Sequence, residues 1–366
     1  MIPLIDLHRL HNSIHSELME AIERIVNSCD FILGKEVASL ERRVAKYLGV
    51  SHAIGVASGT AALEIALRSL DVRGEPVLTT SFSFVATATA IRAAGGVPYF
   101  CDIDPRTFQM DVPQAIMIAD QLRPKVILPV HLFGEMLDVA PLCEWAAAND
   151  AYVVEDAAQS FGARRGTVFA GTQGDIGCYS FFPTKNLGAM GDGGAIVTNQ
   201  SKLASKLLQL REPLVNGTSI PGATNGRLDA LQAAVLNIKL NHLDAWNQTR
   251  REIAQRYESA LGNQPDVVCP SISEGGIVHQ YALRVPRREA LSVHLEQREI
   301  STRIYYPKIL PDYLGMDNAA SQCPWAAAIS GEVISLPIHP HLTRNEQDHI
   351  IDSVLEFCGV RAKSVS

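Results

Sequence analysis

The sequence predicts an α/β fold in which a large domain built on a seven-stranded, mostly parallel sheet precedes a smaller C-terminal α+β lobe. Two observations predict it. Between residues 53 and 198, seven short apolar runs alternate with amphipathic or alanine-rich stretches of helical length, as expected of strands buried on both faces and joined by crossover helices. After Asn199 that alternation stops, and longer helical stretches are separated by turn-rich segments. A chain of 366 residues is also long for a single core.

The elements follow in order. Ile2-Pro3-Leu4-Ile5 opens the chain, and helical patterns follow over 12–28 and 35–48. The seven apolar runs fall at 53–57, 76–80, 97–101, 126–130, 152–155, 178–182 and 195–198, with helices between most of them at 61–70, 85–94 and 139–149. Residues 202–212 read as a helix and 213–226 as a loop rich in Gly, Pro, Asn and Thr. One long helical region is expected over 227–262, through Leu228, Leu231, Ala234, Val235 and Ile238. A strand at 281–285, a helix at 287–298, a strand at 302–306 and a last helix at 343–358 make up the small lobe. The expected division is 1–240 for the N-terminal segment and large domain and 241–366 for the small one.

Apolar residues at 47% and charged residues at 19% are ordinary for a globular chain and exclude disorder as its main state. A net charge of −7 argues against a broad nucleic-acid surface. It leaves room for a single phosphate, which needs only a local nest of N–H groups. The cysteines at 29, 101, 143, 178, 269, 323 and 358 form no C-x-x-C pair, so free thiols in a reducing compartment are expected. No apolar run reaches the length of about 18 residues that a membrane span needs, and the first residues lack a signal-peptide pattern. The expectation is a cytoplasmic protein.

The chemistry concentrates in two places. In Ser180-Phe181-Phe182-Pro183-Thr184-Lys185-Asn186-Leu187-Gly188-Ala189-Met190-Gly191-Asp192-Gly193-Gly194, one lysine follows a buried strand and precedes a cluster of glycines. An amine desolvated at the mouth of a sheet loses pKa and becomes nucleophilic. A solvated lysine just past a strand is the bland alternative, and the flanking proline, glycines and aromatic strand depart from a solvated face. The second place is Val153-Val154-Glu155-Asp156-Ala157-Ala158-Gln159, a buried strand ending in carboxylates, where open α/β sheets bind ligands. Successive strand residues point to opposite faces, so only one carboxylate can aim at a given ligand, and Asp156 is the candidate; its bland role would be a helix cap. A lysine for a Schiff base and an aspartate for a pyridinium nitrogen are the two groups that pyridoxal phosphate requires.

Lesser signals support the same site. Ser58-Gly59-Thr60 leads from the first sheet strand into a helix whose free N–H groups suit a phosphate. The hydroxyl of Ser180 could join them. Phe84, after the strand at 76–80, could stack on a pyridine face. His8, His11 and His15 share one helix face but have no acidic or cysteine partner nearby, so they read as a polar surface rather than metal ligands. His131 reads as a hydrogen-bonded histidine at a strand end, not a general base. No metal site is expected.

These residues, together with Ile2-Pro3-Leu4-Ile5-Asp6-Leu7, Phe31-Ile32-Leu33-Gly34-Lys35-Glu36-Val37 and Asn225-Gly226-Arg227-Leu228-Asp229-Ala230-Leu231-Gln232-Ala233-Ala234, resemble the DegT/DnrJ/EryC1/StrS sugar aminotransferases of fold type I. The resemblance runs over nearly the whole chain. It implies pyridoxal 5′-phosphate as cofactor, with Lys185 as Schiff-base lysine, Asp156 on the pyridine nitrogen and Gln159 by the phenolic oxygen. It puts Phe84 at the stacking position and Gly59, Thr60 and Ser180 on the phosphate. It also implies a homodimer in which Asn225 reaches the neighbouring subunit's site, a nucleotide-sugar ketone as acceptor and glutamate as donor. The lysine that the family's dehydratase branch replaces by histidine is retained. Two segments depart from the pattern: Arg211-Glu212-Pro213-Leu214 stands where many members have Arg-x-His-Gly, and Tyr306-Pro307 is followed by Lys308-Ile309-Leu310-Pro311 without the usual histidine. Both lie where the resemblance places the sugar nucleotide, so the substrate class stays open to a cyclitol or another ketone.

Overall fold

The computed structural model describes residues 1–215, 218–316 and 319–359. Its centre is a seven-stranded sheet in the order His52–Val56, Gly194–Thr198, Ile176–Ser180, Tyr152–Asp156, Val126–Leu128, Pro76–Thr80, Val97–Cys101. Gly194–Thr198 runs antiparallel to both neighbours and all other pairings are parallel. Strand residues alternate between two cores. Ile54, Val77, Leu128, Val154, Cys178 and Ile196 pack with the helices Gly59–Ser69 and Ala86–Ala93 on one face. Leu78, Ile127, Val153, Tyr179 and Val197 face the other side, toward Gly34–Leu48, Val112–Leu122, Ala140–Ala148 and Ala230–Lys239. Burial on both faces explains why these strands read as continuous apolar runs.

Three expectations are corrected. The run at 178–182 forms its strand over Ile176–Ser180, because pairing of Asp156 with Cys178 and of Gly177 with Val197 sets the register; Phe181 and Phe182 lie beyond the sheet. The long helical region splits into Ala230–Lys239 and Leu243–Leu261, with a tight turn at 240–242 closed by Asn241 N to Ile238 O and His242 N to Lys239 O. Residues 302–306 make a single bridge, Arg303 to Ser335, instead of a strand. Tyr306 has φ of 56°, which ends any ladder there. The partner of Tyr281–Arg284 is Val333–Leu336, antiparallel and wholly buried, which the sequence reading missed.

The first residues are strapped to the small lobe. Ile2 bridges Ile300, and Leu4 O accepts from Ile338 N at 3.2 Å. Asp102, 2% exposed, links the large sheet to the segment 324–330. Its carboxylate accepts from the amides of Ile103 (2.9 Å), Trp325 (2.9 Å) and Ala326 (2.8 Å). Asp102→Ala would leave three backbone donors, two of them buried, without this acceptor, so unfolding free energy should fall by about 3 kcal/mol, with a lower urea midpoint as the readout.

Candidate active site

The site forms where the strands Tyr152–Asp156 and Ile176–Ser180 end side by side. Glu155 and Asp156 point to opposite faces, and the hydrogen bonds show what each does. Glu155, fully buried, accepts from His131 Nε2 at 2.7 Å and from the amides of Gly171, Gln173 and Gly174 at 2.9, 2.8 and 2.6 Å. Burial alone would raise its carboxyl, but the hydrogen bond from His131 and those from the amides outweigh it and hold the group below the usual range. His131 Nδ1 accepts from Leu137 N at 3.0 Å, so the proton sits on Nε2 and both ring nitrogens are occupied. Glu155 and His131 therefore brace the loop behind the strand.

Asp156, 4% exposed, accepts from Thr87 Oγ1 at 2.8 Å and from Ala158 N at 3.1 Å, leaving lone pairs for another donor. Burial raises its carboxyl, against the pull of the Thr87 hydroxyl, the Ala158 amide and the charge of Lys185. Lys185 stands in a compact turn: its amide donates to Phe182 O at 2.8 Å, and Phe181 pairs with Gly193 and Ala189, both at 2.7 Å. Gly188 permits this turn, since a Cβ there would fall 2.3 Å from Pro183 O. Burial lowers the Lys185 ammonium to about 8, opposed by the carboxylate of Asp156. The result is an amine that becomes half neutral at about pH 8, with a buried carboxylate as its electrostatic partner.

The phosphate candidates come together a short way along the same edge. Ser58 caps the helix Gly59–Ser69, its Oγ accepting from Ala61 N at 3.0 Å. The amides of Gly59 and Thr60, before that capped position, carry no protein acceptor among the described residues. Gly59 packs so closely on Ser180 that a Cβ would lie 2.7 Å from the Ser180 Cβ. A helix start, two free donors and a serine hydroxyl thus lie together, the set of groups a phosphate requires.

The remaining predicted residues are placed as follows. Gln159 bridges two loops: Oε1 accepts from Phe133 N at 2.8 Å, and Nε2 donates to the Tyr306 hydroxyl. Tyr306 stacks on Phe133 at 6.0 Å between ring centroids. Phe84 is 57% exposed, just ahead of the helix that carries Thr87. Asn225 is exposed, next to Gly226, whose carbonyl accepts from Ala57 N at 2.9 Å. Of the departing segments, Glu212 pairs with Arg227 at 2.9 Å, and Arg211 with Glu41 at 2.9 Å.

Thr87, Asn186, His279 and Lys239 escaped the sequence reading. Thr87 orients Asp156. Asn186, beside Lys185, bonds Asn247 Oδ1, Ile277 O and His279. Lys239, 1% exposed, donates to Gly188 O at 2.6 Å and meets His11 Nε2 at 3.0 Å. Burial lowers Lys239 to about 8, and burial with the Lys239 charge lowers His11 to about 4. Only Lys239 left a signal in sequence, as a cation on the apolar face of its helix, four residues after Val235. The long-range bonds of the others leave none. Two cavities of about 620 and 630 Å³ lie elsewhere, around Ile116 and Glu135 and around Arg164 and Arg251, and neither includes Lys185.

A profile of the DegT/DnrJ/EryC1/StrS aminotransferase family matches residues 12–355. A "Pleiotropic regulatory protein" of Geobacillus stearothermophilus is 38% identical, over 97% of this chain and 98% of its own. The UDP-N-acetyl-3-dehydro-alpha-D-glucosamine 3-aminotransferase of Acidithiobacillus ferrooxidans is 38% identical, over 97% of both chains. The crystal structure of DesV from S. venezuelae, in complex with a ketimine intermediate, superposes with a TM-score of 0.93 at 35% identity, covering 99% of each chain. The chain belongs to the DegT/DnrJ/EryC1/StrS aminotransferase family. Its cofactor is pyridoxal 5′-phosphate, and the residues described above fit that group: a buried amine, a buried acid and free amides at a helix start.

The position of Lys185 makes its reactivity pH-dependent. In cofactor-free protein, modification of Lys185 by an aldehyde and cyanoborohydride should rise through a midpoint of about 8, since only the neutral amine reacts. Asp156 holds the proton on the amine, so Asp156→Asn should move that midpoint down, as read by peptide mass spectrometry across a pH series.

Proposed function

We propose that this aminotransferase moves the amino group of L-glutamate onto a keto group of a nucleotide-linked deoxysugar, with Lys185 as the cofactor-bearing amine. The observation that carries the reading is the pairing of a desolvated lysine with the buried carboxylate of Asp156 where adjacent strands end. When bound, the cofactor supplies an electron sink that stabilises the carbanion formed at the donor carbon. Asp156 would hold the ring nitrogen protonated, and Thr87 keeps that carboxylate oriented. The free amides of Gly59 and Thr60, with the Ser180 hydroxyl, would hold the phosphate. Phe84 would cover one ring face, and Gln159 would lie by the phenolic oxygen. Once the donor amine has displaced it, Lys185 Nζ is the base that takes the proton from the donor Cα. Donor and acceptor then use the same residues in turn.

The acceptor class draws support from the Acidithiobacillus ferrooxidans relative, whose name specifies a UDP-linked 3-dehydro sugar. A cyclitol or another biosynthetic ketone is the second reading, favoured by the segments 211–214 and 308–311, which lack the family's usual histidines. A pyridoxal-phosphate-binding sensor without turnover is a third, prompted by the name of the Geobacillus stearothermophilus relative. Multiple turnovers on a keto-substrate panel separate all three. We further infer a homodimer in which the exposed Asn225 reaches the partner's phosphate. We also infer a division between the lobes at 240/241 and a cytoplasmic location; seven unpaired cysteines support the last, and among the described residues no helix is long and apolar enough to cross a membrane.

Lys185→Ala should abolish multi-turnover amination and the borohydride-fixed cofactor on the Lys185 peptide. Substantial turnover by that variant, or fixation on a different lysine, would remove the assignment. The shared site has its own test. Lys185→Ala and Asn225→Ala chains are each expected to be inactive or weak alone. Mixed by unfolding and refolding, they should recover about a quarter of parental activity, because half the dimers then hold one intact site. No recovery above the separate variants means that Asn225 serves its own chain.

A further inference from the structure

The residue after the reacting lysine is held across the molecule. Asn186, 6% exposed, donates through Nδ2 to Asn247 Oδ1 at 2.7 Å and to Ile277 O at 3.1 Å. Its Oδ1 faces His279 Nδ1 at 3.1 Å. The amide cannot be turned over, because Oδ1 would then oppose the Ile277 carbonyl, two acceptors face to face. Oδ1 is therefore the acceptor, and the imidazole must carry its proton on Nδ1. His279 is 3% exposed. Burial, with the charges of Lys185 and Arg250, holds its pKa well below the ordinary value, so the ring is neutral throughout the working range.

His279 is itself fixed to the wall of the site. Its amide donates to Phe133 O at 2.9 Å, and Ile277 N donates to Gly134 O at 3.0 Å. Phe133 N in turn donates to Gln159. One segment of the small lobe, 277–280, thus touches both the turn that bears Lys185 and the loop at 133–134 whose Phe133 amide bonds Gln159.

We propose that His279 is a positioning residue for Lys185, whose Nδ1–H holds the Asn186 amide and, through it, the turn carrying the reacting amine. The inference rests on Lys185 being the cofactor-bearing amine. A role in packing alone would make the imidazole replaceable by any neutral side chain of similar size. A positioning role demands an N–H at the place of Nδ1.

Two substitutions separate these roles. In His279→Asn the side-chain amide can take the place of Nδ1; in His279→Gln it reaches the place of Nε2 instead. His279→Asn should keep kcat within about threefold of the parent, whereas His279→Gln should lose about 10- to 100-fold in kcat with donor KM little changed, the scale of a small misplacement of a reacting group. Both should melt at similar temperatures. Borohydride fixation of the cofactor on Lys185 should be slower in the glutamine variant alone. Asn186→Ser should reproduce the glutamine phenotype, and the double variant should be no worse than either single one. Equal kcat for the asparagine and glutamine variants overturns the proposal, as does a loss confined to KM or tracking the melting temperature, or strict additivity with Asn186→Ser. A parent protein with no cofactor on Lys185 sinks the functional reading as well; a labelled parent with indistinguishable variants sinks only the role of His279.

Discussion

The structure depends on keeping one amine out of water while leaving it a single anionic neighbour. Burial of Lys185 favours the neutral, nucleophilic form, and the carboxylate of Asp156 opposes that pull. Too much burial would strand an ammonium at high cost, and too strong an anion would lock the proton in place. The balance is set by topology. Tyr152–Asp156 and Ile176–Ser180 are adjacent parallel strands, so the acid at one strand's end and the turn beyond the other's emerge on the same edge. The antiparallel return through Gly194–Thr198 then closes that turn on itself.

The large domain was legible in sequence because its information is local. Strands buried on both faces produce apolar runs, and six of the seven centre within a residue of their expected positions; Ile176–Ser180 sits two residues early. The small lobe was less legible for a physical reason. Val333–Leu336 is four residues long and gains its strand character from pairing with Tyr281–Arg284, about fifty positions earlier in the chain. Residues 302–306 have strand-forming side chains, but Tyr306 takes a left-handed backbone so that its ring can lie on Phe133 and its hydroxyl on Gln159. Tertiary demand overrode local propensity at the site.

The same distinction divides the site residues. Lys185, Asp156, Gly59 and Ser180 sit at strand or helix ends, positions that sequence periodicity can locate. Asp156 is already the candidate in sequence, and the hydrogen bonds supply the physical reason: four donors occupy Glu155, whereas Asp156 keeps capacity to spare. Thr87, Asn186, His279 and Lys239 act through partners tens to hundreds of residues away, and an ordinary threonine, asparagine or histidine in a sequence carries no sign of such a partner.

The two lobes contribute differently to this arrangement. The sheet supplies the acid, the lysine and the unbonded amides of Gly59 and Thr60 from neighbouring strand ends, so their spacing follows from a rigid ladder. The small lobe adds restraints from the opposite side: segment 277–280 on Asn186 and Phe133, and Tyr306 on Gln159. Phe84, Phe182 and Met190, all close in sequence to residues of the site, are exposed. Apolar side chains around a polar reaction site are costly to leave in water and useless for holding a charged phosphate. They suit a surface that becomes covered in the assembled or ligand-bound protein.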